Sequence, residues 1–600
     1  MAKRAPKKNI KVGHKEADPG HHALFKGLVL SAGLVLIVLF FLPVRYEGND
    51  ELALIKVVSG QGGIPADPNF QLVINQVLSY CLYFFYKHWP STPWLGMLMY
   101  SAVYLGGALF FSLLFKSRRA KYALLALPPF ILFLGYCLAA ISITAASLIL
   151  EFAVFLCLME WAIKERCPVK HFRWYGLFLV FCFFLSFSLR WRLVLYSLFF
   201  AVPILFFLDK NRLRKTLPFL IAVMVIIVGD RALFYYTSTD EYKAFAEYNM
   251  IRAVFNDTAR GEYHGEITLK ALDKAGWSLD DYNFFRNWIL YDEKVFNTEN
   301  ITTFTEANNP QNRASILELI PKRIVKSFDK SKHHTLVLAF SILSLFVYRF
   351  HVLLGLSRYD RLKIICSLGI IGAGTVFFMY YRFPRRVFVP LYAYLVGTSF
   401  LIFQVENKLL HDQNKVPRLG KISVVAIVVL VVLTLGQIHA EAKGIYRILE
   451  TSKRTKDYIH KCLGVAKNRS IHGDPLLVLM QPTSGLGFET VHPLLELSDF
   501  PDVRIFPGGT RTNSPPYFDA LRRIGLGGGR EFLQWTINNE EVLFVLIETG
   551  NKGDQIIKYL WESYFSRRIA QGRNAKLVPV HDFRNRSGAG IVFYSMISAN

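Results

Sequence analysis

"NFQLVINQVLSYCLYFFYKHW", residues 69–89, is the stretch on which the topology turns. It is apolar enough to cross a bilayer, yet Asn69, Gln71, Asn75, Gln76, Lys87 and His88 make it amphipathic. Counted as a crossing, it reverses the side of every later loop. Left out, it leaves eleven apolar runs, near 24–44, 94–115, 122–139, 143–163, 174–189, 193–208, 217–236, 335–354, 363–380, 387–404 and 421–438. Runs of roughly 17–25 such residues cross a hydrocarbon core. The basic clusters then fall on one side: the tail 1–23, "KSRRAK" (116–121), "KERCPVKHFR" (164–173), "DKNRLRK" (209–215), "RYDRLK" (358–363) and "NKLLHDQNKVPRLGK" (407–421). Lys and Arg collect in cytoplasmic loops. The N-terminus is therefore expected in the cytoplasm, with the loop 45–93 and residues 441–600 outside. Residues 69–89 are read as a helix lying in the outer interface, ended by "PSTPW" (90–94), with Trp89 and Trp94 at headgroup depth.

The bulk composition agrees. Of 600 residues 52% are hydrophobic and 50 are Phe, and the mean hydropathy is +0.29. This is the composition of an α-helical polytopic membrane protein. A net charge of +25 raises the question of nucleic acid, but the excess sits in the one-sided loops, and residues 237–334 hold 13 Lys and Arg against 15 Asp and Glu. No nucleic-acid partner is expected. The long basic tail and the lack of a small-residue cleavage site make the first apolar run a signal anchor. Cys137, Cys157, Cys167, Cys182 and Cys366 lie in or beside apolar runs, and Cys462 is alone in the C-terminal part, which rules out an internal disulfide there. No CxxC or HxxxH spacing marks a structural zinc site.

Three parts follow: the tail 1–23, a membrane domain 24–440, and a C-terminal domain 441–600. A structureless loop as long as 237–334 would be unusual, so a small helical cap is expected, with Ser278 as an N-cap and Asp281 three positions on. After about 455 the pattern changes. The runs 475–480, 542–548, 576–580 and 590–596 read as strands and 515–524, 529–540 and 554–568 as helices, which makes an α/β domain. "GLGGGRE" (525–531) lies between two helices rather than after a strand, so it reads as a flexible turn and not a phosphate loop. Four sequons, at Asn256, Asn300, Asn468 and Asn585, fall in regions placed outside.

Just after the first apolar run, "FLPVRYEGNDELALIKVVSG" (40–59) sets Glu47, Asp50 and Glu51 within five positions. A tail, a first helix ending in an acidic pair, an interfacial helix and a second crossing resemble the GT-C glycosyltransferases. These polytopic enzymes, among them protein mannosyltransferases and the aminoarabinose transferase of lipid A, take a sugar from a polyprenyl-phosphate carrier on the extracytoplasmic face. Many carry a soluble C-terminal domain. The match is carried by "NDE" (49–51) and its position. The WWDYG-type motif of oligosaccharyltransferases is absent, and "SITAASL" (142–148) lacks the acid that relatives often carry there.

The chemistry agrees with what the resemblance implies. Transfer to a hydroxyl needs a base for the acceptor proton while the carrier phosphate departs. A partly desolvated carboxylate has a raised pKa suited to that work. Asp50 is the choice for the base, with Glu51 orienting the acceptor or sharing a divalent cation (Mg or Mn). The competing reading is that the acids only stop the helix and face water. The departing phosphodiester needs cations, best supplied as forked guanidinium groups. Arg190 and Arg192 in "SLRWRL", and Arg382, Arg385 and Arg386 in "YYRFPRRV", sit at outer helix ends against the charge trend. Lipid phosphates or helix C-termini could hold them instead. Glu151, Asp230 and Arg231 lie inside crossings, where charges face cavities. Asp230 and Arg231, being neighbours on a helix, need not pair. Asp257 could be a second acid above the cavity. His333 and His334 read as interfacial rather than metal-binding.

The expected function is an integral-membrane glycosyltransferase moving a sugar from a polyprenyl-phosphate donor to an envelope glycan, lipid or protein, with inversion in one displacement. A transporter or flippase of a lipid-linked precursor would show related halves and broken helices near the midplane; neither is seen. A non-catalytic scaffold is the third class. A bacterial inner membrane fits the tail and the compact outer domain; the endoplasmic reticulum stays open.

Overall fold

A computed structural model describes residues 19–599, apart from short interruptions and the longer stretches 310–333, 347–357, 403–420, 468–475, 481–492 and 495–511. Helix α1 (Pro19–Phe41) leads into a two-residue strand β1 (Arg45–Tyr46), a short helix α2 (Asp50–Ser59) and helix α3 (Gln76–His88). Thirteen residues of α3 reach only about 20 Å, short of the roughly 30 Å of a hydrocarbon core. Asn75 caps α3 by accepting the Leu78 N–H at 2.9 Å. At the other end the Phe85 ring stacks on Trp94 at 4.7 Å. The stretch that decided the topology is thus a short helix, starting at Gln76 rather than at 69.

Helices α4 (Trp94–Phe115), α5 (Ala120–Ala139) and α6 (Ile143–Ile163) follow, with strand β2 (Ala140–Ile141) in the turn between the last two. Next come α7 (Val169–Ser197), a short α8 (Val202–Leu205) and α9 (Lys210–Thr237). Among the described residues six helical stretches are long and apolar enough to cross a membrane, including His22–Phe41, Trp94–Phe115 and Ile143–Ala162. The chain is a multi-pass α-helical membrane protein. Helix α6 is buried along its whole apolar window, because α4 and α7 both pack on it.

One stretch needs closer reading. The apolar segment Trp174–Leu205 is 32 residues long, where the sequence suggests two runs. Arg190 breaks the helical backbone with φ −150° and ψ 63°. Before the break, Ser147 of α6 donates to the Ser186 carbonyl at 2.9 Å. After it, Ser197 donates to Glu151 at 2.5 Å. A straight α7, antiparallel to α6, would carry residue 197 past the start of α6. It lies one turn deeper instead, so the chain reverses at Arg190.

The cap comprises α10 (Asp240–Asp257), α11 (Glu266–Lys274), α12 (Leu279–Arg286) and α13 (Thr298–Ala307). Ser278 accepts the Asp281 N–H at 3.1 Å while Asp281 accepts the Ser278 N–H at 2.7 Å, a complete capping box. Trp277 stacks on Phe304 at 5.3 Å and meets Phe285 at 5.4 Å in the cap core. The Tyr242 hydroxyl, donating to Asp67, ties the cap to the first loop.

Helices α14 (His334–Phe346), α15 (Arg358–Tyr381) and α16 (Arg385–Ile402) return to the membrane domain. Helix α17 (Lys421–Lys467) then runs for 47 residues, about 70 Å, unbroken through residue 441. The last part holds β3 (Leu476–Leu479), α18 (Pro515–Arg523), α19 (Gly529–Trp535), β4 (Val542–Thr549), α20 (Lys552–Tyr564), β5 (Asn574–Asp582) and β6 (Ala589–Ala599). Its sheet has the order β3-β4-β6-β5, the first pair parallel and the others antiparallel. These elements lie at the runs that read as strands and helices in the sequence.

"GLGGGRE" is not a loose turn. A Cβ at Gly529 would lie 1.8 Å from the Tyr291 carbonyl oxygen, and one at Gly528 would lie 2.5 Å from Glu293 Oε1. The Arg530 N–H donates to Glu293 at 3.0 Å. The glycines let the cap backbone approach, and a carboxylate of the protein itself fills the place a phosphate would take.

Candidate active site

Strand β1 pairs in parallel with β2, Arg45 opposite Ala140 and Tyr46 opposite Ile141. The Glu47 N–H donates to the Ile141 carbonyl at 2.9 Å. This small ladder fixes the exit of α1 against the start of α6. Glu51 is only 1% exposed, and its Oε1 accepts the N–H of Ile143, the first residue of α6, at 2.9 Å. Unpaired N–H groups and the helix dipole hold a carboxylate well at that place. One oxygen of Glu51 thus positions the loop on the start of α6.

Glu47 was the acid to which the sequence assigned no role. Burial pushes its carboxyl up to about 7, against the opposing pull of Arg386, Arg45, the Tyr136 hydroxyl and Arg385. Tyr136 donates to it at 3.4 Å, a long contact. A Cβ at Gly48 would stand 2.6 Å from Arg386 Nη1 and 3.3 Å from Glu51 Oε2. Glycine here leaves room for the Arg386 guanidinium beside the acidic loop. Arg385 Nη1 lies 3.4 Å from Glu441 Oε2 on α17. Gln437 donates to the other oxygen of Glu441 at 2.8 Å, and His334 Nδ1 is 3.9 Å away. His334, expected at an interface, is 1% exposed, with Tyr136, Phe133 and Phe388 rings around it.

A cavity of about 640 Å³ runs beside this cluster between α1, α4, α5 and α17. Pockets for small ligands occupy roughly 300–1,000 Å³. Along α1 it extends from Phe25 to Phe41, about 24 Å of helix. Its walls are almost wholly apolar. Tyr136 and Glu441 line it, and both reach the arginine and carboxylate cluster. The C-terminal domain reaches the same end. Tyr46 donates to the Pro493 carbonyl at 3.5 Å, and that oxygen lies 1.9 Å from where a Cβ at Gly96 would stand.

The other sequence candidates divide. Asp50 is the first residue of α2 and Asp257 the last of α10, but both side chains lie outside the described residues, as does Arg382. Arg190 sits at the reversal. Arg192 and Arg231 flank Trp191, 5.0 and 3.6 Å from its ring centre. Asp230, 4% exposed, accepts the Gln76 N–H at 3.1 Å and Arg231 Nε at 3.2 Å. The pairing of neighbours that helix geometry argued against does occur, because a long arginine side chain can fold back. The contacts described for this second group pin α3 to α9, and none of them reaches Glu47 or Glu51. Among the described residues no three His, Cys, Asp or Glu side chains form a metal-binding group, but a cation at Asp50 would involve a side chain outside that set.

Glu47 was legible only as a third carboxylate near the "NDE" stretch. Its desolvation, and Arg385 and Arg386 more than 300 positions on, carry no local signal.

No family model and no curated protein matches the chain. Among solved structures, ArnT from Cupriavidus metallidurans bound to undecaprenyl phosphate aligns with 96% of this chain and 98% of that one, at 11% identity and a TM-score of 0.38. ArnT from the same organism in the apo state aligns with 95% and 98%, at 12% identity and a TM-score of 0.35. Likeness at that level assigns no residue a role. The reading of the site rests on its own geometry.

Proposed function

We propose that the chain is a membrane glycosyltransferase that takes a sugar from a polyprenyl-phosphate carrier and passes it to a cell-envelope glycan, lipid or protein. The observation that supports this most is the apolar cavity along α1, ending beside Arg385, Arg386 and the half-buried Glu47 carboxylate. A long isoprenoid chain suits the apolar walls, and its phosphate suits forked guanidinium groups. A carboxylate near neutrality stands where an acceptor would approach.

In this reading Glu47 or Asp50 takes the proton from the acceptor hydroxyl as its oxygen attacks the anomeric carbon. The bond from that carbon to the phosphate oxygen breaks, and the electron pair leaves with the carrier phosphate. A group with a pKa near the working pH suits proton transfer, which favours Glu47 alongside Asp50. Arg386 stabilises the charge on the departing phosphate. Glu51 holds the loop on α6. A divalent cation, if it binds at Asp50, would add charge stabilisation to the same leaving group. The one-sided basic loops support an extracytoplasmic position for this end of the molecule, and a bacterial plasma membrane fits.

The test is sugar transfer from a lipid-linked donor in membranes carrying Glu47→Gln and Asp50→Asn variants. Transfer should collapse in at least one while the protein still accumulates and folds. Full transfer in both variants would overturn the assignment. A transporter of lipid-linked precursors would move lipid without forming any new glycosidic bond.

A further inference from the structure

The cluster around Trp191 takes no part in the proposed reaction, yet it is built with care. The Asn75 N–H at the start of α3 donates to the Ser188 carbonyl of α7 at 2.9 Å. The next N–H, from Gln76, goes to Asp230 of α9 at 3.1 Å. Arg231 closes over the Trp191 ring at 3.6 Å while its Nε donates to Asp230 at 3.2 Å. Asp230 is therefore satisfied and its charge is balanced. Arg192 has no such balance. It is half-buried and lies 5.0 Å from the centre of the same ring, and among the described residues it makes no ion pair or hydrogen bond. Three neutral groups nearby are also left over. Asn75 Nδ2, Ser188 Oγ and Trp191 Nε1 are buried without a hydrogen-bond partner, and Asn75 and Ser188 are 0% and 2% exposed. Buried polar groups are ordinarily paired, so each calls for a partner. Water can serve the neutral groups, but it does not balance a guanidinium that stands beside a second one. Donors around an unmatched cation suit an anion.

We propose that this cluster is a lipid-phosphate site, separate from the donor cavity, which holds the headgroup of an anionic phospholipid. The donor cavity lies between α1, α4, α5 and α17, whereas these groups stand on α3, α7 and α9. Two features point to a lipid rather than to free phosphate. Ile221, Val225 and Val228 are exposed, and their spacing of four and three lines them along one side of α9 toward Arg231, three positions further on. Acyl chains can lie on that stripe while the phosphate meets Arg192 and the Trp191 N–H. A half-buried Trp and Arg at the end of an apolar helix also suit headgroup depth. A phosphate held jointly by Arg192 and the Asn75 side chain would fasten the short α3 against α7.

The measurement is binding of phosphatidylglycerol, against phosphatidylcholine, to the delipidated full chain in detergent. The proteins compared are the parent, Arg192→Ala, Arg192→Lys and Trp191→Phe. Phosphatidylcholine carries the same phosphate with a cation beside it, so the parent should prefer phosphatidylglycerol. Arg192→Ala should weaken that binding by about tenfold or more, as for loss of a charge-assisted contact. Arg192→Lys should cost less, because the charge stays and only the fork is lost. Trp191→Phe keeps a ring under Arg231 and removes one neutral donor, for a loss of about two- to tenfold. The last two variants carry the test if Arg192→Ala does not fold. Equal binding of the two lipids, unchanged by these substitutions, would leave the cluster to water and overturn the inference. If inorganic phosphate alone binds with the same dependence on Arg192, the lipid assignment is wrong. If Arg192→Ala weakens undecaprenyl phosphate as strongly as Arg386→Ala does, the cluster belongs to the donor site and is not a separate one. The role given to Glu47 is tested by sugar transfer and stands or falls apart from all of these.

Discussion

Where the cap meets the C-terminal domain, arginines and carboxylates are close partners. Arg568 lies 2.6 Å from Asp281 and Arg567 lies 2.9 Å from Asp280. Tyr564 donates to Asp292 at 2.9 Å, and Asp281 also completes the cap of α12. The hydrogen bond it donates to Asp281 holds the Arg568 guanidinium above its ordinary value. At the acidic loop the same residue types meet differently. Glu47 is half-buried, its described hydrogen bond is the 3.4 Å contact from Tyr136, and desolvation outweighs its arginines. The interface satisfies its charges and is held by them. At the loop desolvation prevails over the arginines, which leaves Glu47 able to exchange a proton near neutrality.

The comparison breaks first at Glu47. Losing the base should lower kcat by roughly 10²- to 10⁴-fold, while the melting temperature in detergent changes little. A Glu47→Gln protein that keeps its turnover but melts earlier would make the loop an interface like the other.

Next come the clamp arginines. Arg386→Ala should weaken binding of a polyprenyl-phosphate analogue by about ten- to a hundredfold, the worth of a charge-assisted contact of about 1.5–3 kcal/mol. Measured at two salt concentrations, the loss should persist, since a cavity at the membrane excludes screening ions.

The interface should respond in the opposite sense. Arg568→Ala leaves Asp281, whose side chain is fully buried, without its close cation. The cost should be about 2 kcal/mol of stability, below that of a fully buried pair because Arg568 is one-third exposed. Limited proteolysis should cut the cap sooner, and donor affinity should stay within about twofold. A large loss of donor affinity here would show that the two regions are coupled.

The smallest effect is in pH. Glu47 must be ionised to act as a base, so turnover should rise with pH through about 7. Arg386 lowers that pKa, so Arg386→Ala should move the acid limb upward, to higher pH. A limb that stays put in Arg386→Ala, or persists in Glu47→Gln, assigns the titration to another group.

Much of the architecture was legible before any coordinates. A bilayer demands about twenty apolar residues in succession, and helix caps and strands are written in neighbouring positions. Hence apolar runs such as 94–115 and 143–163, the Ser278 cap and the strands after residue 475 could be read directly. The site was half legible. The acidic loop and "RFPRR" were picked out by charge in unexpected places, and Arg385 and Arg386 do gather beside Glu47 and Glu51.

What the fold alone decided depends on distance between residues remote in the chain. Asp230 turned from a candidate ligand into an anchor for α3 because Gln76 lies against it. "GLGGGRE" turned from a loose turn into a packed contact because Glu293 enters it. Glu47 became the poised acid because β2, Tyr136 and Arg386 enclose it. Chain-local physics selects helices, strands and spans, so the sequence by itself determined those. The ionisation of a carboxylate depends on local dielectric and on charges a few ångströms away in space, and only the tertiary structure brings those charges there.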